Sequence, residues 1–228
     1  MDSSRDKILN TLKGKSILKQ NIYEDTLKLF LDFRSSIKTI ANDLKKEIAK
    51  TDNRLVIDSR NKGDLEVELK VADDTIIFMM HTDIFDFEKN YAIMQSSYIE
   101  DDKERSFCGM ILVYNFLTDS FKYDRNNDLG VLIARIFINK DRHFFVEGKR
   151  QLGYLFNDFD NAIIDKDKII SIVETVILYC LEFDLYVPDY EEMNQITVHE
   201  INEVNLKTVI ATGKRLGFQF RSEIINPE

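Results

Sequence analysis

The chain has 228 residues, of which 44% are hydrophobic and 31% charged, and its formal net charge is −9. A chain of this length buries about 70% of its unfolded surface, so it needs neither a disulfide nor a structural metal to fold. No apolar run approaches the roughly 18 residues of a membrane-spanning helix, and the acidic balance argues against a nucleic-acid partner, because a phosphate backbone repels it at long range.

The N-terminal stretch MDSSRDKILNTLKGK has no apolar core of the kind a secretory signal needs. Cys108 and Cys180 sit in apolar segments and read as buried thiols rather than a bridge. Together these predict a cytoplasmic protein. Residues 2–19 read as a short helix with Asp2, Ser3 and Ser4 as candidate caps and Gly14 as a candidate break. Ile8, Leu9, Leu12, Ile17 and Leu18 are its apolar positions, and Arg5, Lys7, Lys13, Lys15 and Lys19 its cations. Such a segment fits docking on the chain's own acidic body, and a membrane surface or an acidic partner is its other use.

A longer helix is predicted over 22–50. Leu27, Phe30, Phe33, Ile37, Ile40, Leu44 and Ile48 recur every three or four residues and form one apolar stripe. That stripe can cover a sheet, or it can pair with its own copy in a homodimer. The spacing favours the sheet.

A run of strands comes next. Arg54–Ser59 is a short one, and 60–63 is turn chemistry. Asp64–Val71 alternates, with Leu65, Val67, Leu69 and Val71 on one face and Glu66, Glu68 and Lys70 on the other. A tight turn at 72–74 leads into Thr75–Phe87, an apolar run that stops at His81-Thr82-Asp83 and reads as the central strand. Residues 88–106 are polar and irregular. Phe107–Leu117 lacks alternation and reads as buried on both faces. Thr118–Ser120 is a turn. Val131–Ile138 and His143–Glu147 form a hairpin, and β-branched density favours strand over helix for the first of them.

Asp165 is a helix cap, and Ile169, Ile172, Val173, Val176, Ile177, Cys180 and Leu181 make a broad apolar stripe. A strand over 196–201, a helix over 205–216 ending at Gly217, and a last strand or tail from Phe218 complete the chain. Acid gathers in this part: from Gln151 to Glu203, twelve carboxylates face Lys166 and Lys168, a balance of −10.

Helices, then six or seven strands in meander, then helices, predict one α+β domain over 1–228. Its parts are a helical segment over 1–50, an antiparallel sheet over 54–147 and a mainly helical segment over 165–228. The layout resembles the PAS, GAF and profilin type of fold in architecture, and architecture does not carry function.

Three sets of polar residues stand out. Asp58 on one strand, with Glu68 and Lys70 sharing a face on the next, is the pattern by which a restriction-type nuclease holds Mg²⁺ and orients water. A plain cross-strand ion pair gives the same pattern. His81 and Asp83 lie two residues apart on one strand face, where a carboxylate could orient an imidazole. Arg135, inside an apolar strand, must be paired, and Asp83 and Glu147 are its natural partners. With His143 these residues outline a candidate ligand site for a small anion. The three histidines, His81, His143 and His199, show no metal-binding spacing, and no phosphate loop or cofactor motif occurs, so no metal or cofactor is expected. These features predict a non-catalytic module for a protein partner or a small anionic ligand. A metal-dependent nuclease or hydrolase, and an assembly subunit dimerised through helix 22–50, are the alternatives.

Overall fold

The fold comes from a computed structural model, which describes residues 3–184 and, beyond them, 187, 190–193, 195 and 198. The expected strand over 196–201 (residue 198 apart), the helix over 205–216 and the tail from Phe218 lie outside the described residues, as does His199.

Helix α1 (Ser4–Thr11) starts with a capping box. The Ser3 hydroxyl accepts from the Asp6 N–H, and the Asp6 carboxylate accepts from the Ser3 N–H. The expected break at Gly14 is instead a π turn over Leu12–Ser16 that runs straight into α2 (Ile17–Ile48). A glycine destabilises a helix by only about 1 kcal/mol, and good helix formers on both sides propagate through it. Ile22, Leu29, Phe30, Phe33, Ile37 and Ala41 are buried along α2, at helical spacing. Leu44, expected in that stripe, is exposed.

The sheet has six strands in the order of the chain, every pair antiparallel: β1 (Ile57–Asn61), β2 (Glu66–Val71), β3 (Asp74–Met80), β4 (Cys108–Leu117), β5 (Val131–Asn139) and β6 (Phe144–Gly148). β1 starts three residues later than predicted. The Arg54 N–H and guanidinium are both held by the Asp52 carboxylate, which keeps that residue in the turn. Thr118–Ser120, read as a turn, opens a one-turn helix, α4 (Thr118–Lys122), which comes after α3 (Ser97–Asp101) in the chain.

Each face of the sheet is kept dry by different means. On one, α2 and α6 (Lys166–Leu181) cover Val67, Leu69, Ile76, Phe78, Ile111, Val113, Ile136 and Val146. The Asp165 carboxylate caps α6 by accepting from the Lys168 N–H, as its position in the sequence predicts. The apolar stripe of α2 is therefore taken up by the sheet and α6. On the other face, the β3–β4 connection folds back over β4, β5 and β6. Phe85, Phe87, Ile93, Met94 and Ile99 pack on Cys108, Met110, Phe137 and Phe145. Cys108 and Cys180 are both buried free thiols, and they lie in the cores on opposite faces.

The outer edge of β6 is also occupied. The Val146 N–H donates to the Phe156 carbonyl at 2.8 Å, and the Phe144 N–H to the Ala162 carbonyl at 3.1 Å. α5 (Gln151–Leu155) lies within the segment that returns along this edge.

Two small residues set the geometry. Gly109 lets α2 approach β4: a Cβ there would fall 2.8 Å from the Thr26 Cβ, and Thr26 is itself 1% exposed. Gly109→Ala is expected to lower stability by about 1–3 kcal/mol in urea unfolding, because neither side chain has room to move. Ala72, in the β2–β3 turn, has φ of +53°, a conformation that penalises any residue with a Cβ. Ala72→Gly is expected to raise stability in the same assay by about 0.5–1 kcal/mol.

Candidate functional site

His81 lies at the end of β3, and its N–H still donates to the Met110 carbonyl at 2.8 Å. There the chain turns. The Asp83 N–H donates to His81 Nδ1 at 3.0 Å, and the Asp83 carboxylate stands 3.8 Å from the same nitrogen. In a base-orienting pair, Nδ1–H donates to the carboxylate. Here Nδ1 accepts from the backbone, so the neutral imidazole carries its proton on Nε2. The ring rests edge-on against Phe85, with centroids 4.8 Å apart. This pair is therefore a local turn motif, with the Asp83 carboxylate left 77% exposed.

That carboxylate opens onto a cleft. Ser16, Lys19, Gln20 and Tyr23 of the helix line one side, and Thr82, Asp83 and Ile84 the other, around an open volume of about 660 Å³. The Lys19 ammonium donates to the Ile84 carbonyl at 3.3 Å and joins the two walls. Lys15 and Lys19 both stand over the Phe107 ring, at 5.1 and 5.4 Å. The lining is mostly polar: a phenol, an amide, two hydroxyls, a cation and an anion. The helical wall is not marked in the sequence, where Lys19 is one cation of the short helix over 2–19 and nothing singles out Gln20 or Tyr23.

The other predicted residues have partners elsewhere. Arg135 pairs with Glu147 across β5 and β6 rather than with Asp83. Burial pushes the Glu147 carboxyl above its ordinary value. A β-bulge at Val113/Tyr114 breaks the alternation of β5. Val131 and Ile133, which strict alternation along the strand would put on the face of Arg135, therefore join the core under the helices. His143 Nδ1–H donates to the Phe159 carbonyl at 2.9 Å, and the ring stacks on that of Tyr98 at 4.5 Å. No hydrogen bond or ion pair among the described residues joins His81 and Asp83 to Arg135 or to His143.

Asp58, Glu68 and Lys70 do share one sheet face, with Asp58 opposite Lys70 in the β1–β2 register. The Glu68 side chain is 3% exposed, with the Lys62 ammonium at 2.7 Å and that of Lys70 at 3.8 Å. The face expected to be wet is thus closed at this corner. Lys62 also lies over Phe121, which packs on Phe116. Among the described residues, no group of three or more His, Cys, Asp or Glu is placed to hold a metal ion.

A polar network that the sequence does not announce ties the β3–β4 connection to the β5–β6 hairpin. Asn139 is 1% exposed and uses its whole amide. Its Nδ2 donates to the Tyr98 hydroxyl and the Arg105 carbonyl, and its Oδ1 accepts from the N–H groups of Asp141 and His143. Tyr98 and Arg105 both reach the Asp141 carboxylate, and Lys140 pairs with Asp102 and Glu104. Only the isolated Asn139 at the end of an apolar strand hints at this in the sequence.

Comparison with known protein families, curated proteins and solved structures finds no match. No helix among the described residues is long and apolar enough to cross a membrane.

The network has a pH signature. Burial pushes the Tyr98 phenol up from 10 to about 12, with the Asn139 hydrogen bond opposing and the Asp141 carboxylate adding to the rise. Folding therefore favours the protonated phenol. Its contribution to stability is whole below the unfolded value of 10 and is lost as pH climbs toward about 12. Urea midpoints should fall over that interval, and Tyr98→Phe should flatten the fall.

Proposed function

We propose that this chain is a non-catalytic binding module, and that the cleft between the helix and residues 82–84 receives a segment of a partner protein. One observation carries this reading. Thr82 and Asp83, from the polar ending singled out in the sequence, border an open cleft with a phenol, an amide, hydroxyls and both signs of charge in its walls. A polar lining of this kind suits a peptide with its own backbone donors and acceptors better than a compact apolar ligand. The cleft draws on two stretches about sixty residues apart, both anchored on the sheet, so its walls are held in place by the fold rather than by a loop alone.

The other readings have less support. An anion site at Arg135 would compete with Glu147, which already holds the guanidinium. A nuclease would need the Glu68 carboxylate free for a metal, and two lysines surround it. A homodimer through helix 22–50 would need an apolar stripe that the sheet and α6 already cover. The likeness to PAS, GAF and profilin folds remains one of layout.

A displayed random-peptide library selected on the wild-type chain tests the proposal. Enriched peptides are expected, and Asp83→Lys or Tyr23→Ala should weaken them about tenfold or more, the effect of about 1.4 kcal/mol at one contact. A library that yields no binders, or binders indifferent to both substitutions, rejects the cleft as the site.

A further inference from the structure

Helix α1 and the π turn after it have no buried residue. Ile8, Leu9, Leu12 and Ile17 are 59%, 42%, 52% and 53% exposed. Four exposed large aliphatic side chains within ten residues make an apolar surface that none of the described residues buries. Cations accompany them. Between Ser4 and Ile17 stand Arg5, Lys7, Lys13 and Lys15 against Asp6 alone, four positive less one negative, or +3. The remainder of the chain is then −9 − 3, or −12.

The π turn decides where this surface points. A π turn takes in one residue more than an α turn, which rotates α1 by about 100° relative to α2. Without it, Ile8 and Leu12 would continue the line of Thr26, Phe30 and Phe33, which face the sheet. With it they fall near the line of Ile17 and Leu31, which are 53% and 49% exposed. Arg5 and Lys13 flank the same line. The turn thus swings an apolar strip bordered by cations away from the body.

We propose that Ser4–Ile17 is a membrane-surface arm, lying on an anionic bilayer with Leu9, Leu12 and their neighbours among the headgroups and Arg5 and Lys13 on the lipid phosphates. Charge selects this occupant. Two arms of +3 repel one another, so a second copy of the arm is a poor partner. An anionic lipid surface offers the opposite charge and accepts an apolar strip of any spacing. A groove in a protein instead asks for anchors at regular helical intervals, which the π turn interrupts. Reach is adequate as well. Fourteen helical residues run about 21 Å, between two and three Debye lengths of about 8 Å at physiological salt, so the tip of the arm lies beyond the screened field of the acidic body.

Flotation of the full chain with vesicles tests the proposal. The probes are phosphatidylcholine alone and phosphatidylcholine with half its lipid replaced by phosphatidylglycerol. The bound fraction is expected to be about tenfold or more higher on the anionic vesicles and to fall as salt is raised. Leu9→Glu/Leu12→Glu should abolish binding, and Arg5→Gln/Lys13→Gln should reduce it severalfold. These positions are all exposed, so circular dichroism and the urea midpoint should stay at wild-type values. The proposal is overturned if the wild type floats with neither vesicle, if it binds both equally, or if the Leu9→Glu/Leu12→Glu variant floats like the wild type. A wild type that ignores vesicles but scatters as a dimer, and becomes monomeric on Leu9→Glu/Leu12→Glu, assigns the strip to a second copy instead.

Discussion

The fold depends on the contact between α2 and the middle of the sheet. Leu29, Phe30, Phe33 and Ile37 are at most 2% exposed, and each such side chain contributes about 1.5–3 kcal/mol by leaving water. The contact is possible only because Gly109 presents bare backbone to Thr26. With α2 seated, α6 has a wall to pack against and the first core closes. What α2 does not seat is equally informative. Its N-terminal extension carries apolar side chains past the sheet, and both the cleft and the exposed arm arise from that overhang.

The second face obeys a different logic. Among the described residues, no long helix covers it. The β3–β4 connection folds over one half, and the residues around Phe121 close a corner of the other. Irregular backbone over a core needs partners for its polar groups. Asn139, Tyr98, Arg105 and Asp141 supply them here. This explains why a cluster with histidine, tyrosine, arginine and aspartate, which resembles machinery in its composition, acts as a fastening. Each group already has a partner within the fold.

Much of the architecture was legible in the sequence. Density of β-branched residues identified β5 as a strand, unbroken apolarity marked β4 as buried on both faces, and Asp165 announced α6. These signals are local, and the sheet preserves them. The misreadings came where one added residue changed a phase. The bulge near Val113 turned Val131 and Ile133 away from Arg135, and the π turn carries the chain on through Gly14, where the first helix was expected to break. A periodicity argument cannot detect such an insertion, because each side keeps its own period. The candidate site was half legible for a related reason. Asp83 stood out against an apolar strand, whereas Lys19, Gln20 and Tyr23 became part of a wall only when the helix met the turn.

The edges of the sheet carry a consequence for how the protein behaves at high concentration. A free edge strand is a template on which other chains can add, the first step toward ordered aggregates. In this chain β6 has its outward backbone groups bonded to the returning segment at Phe156 and Ala162. β1 is five residues long, with Asp58, Arg60 and Asn61 exposed along it. One side is capped and the other is short and charged. Neither edge invites a neighbour, so strand-to-strand association between copies must begin from a chain that has already opened.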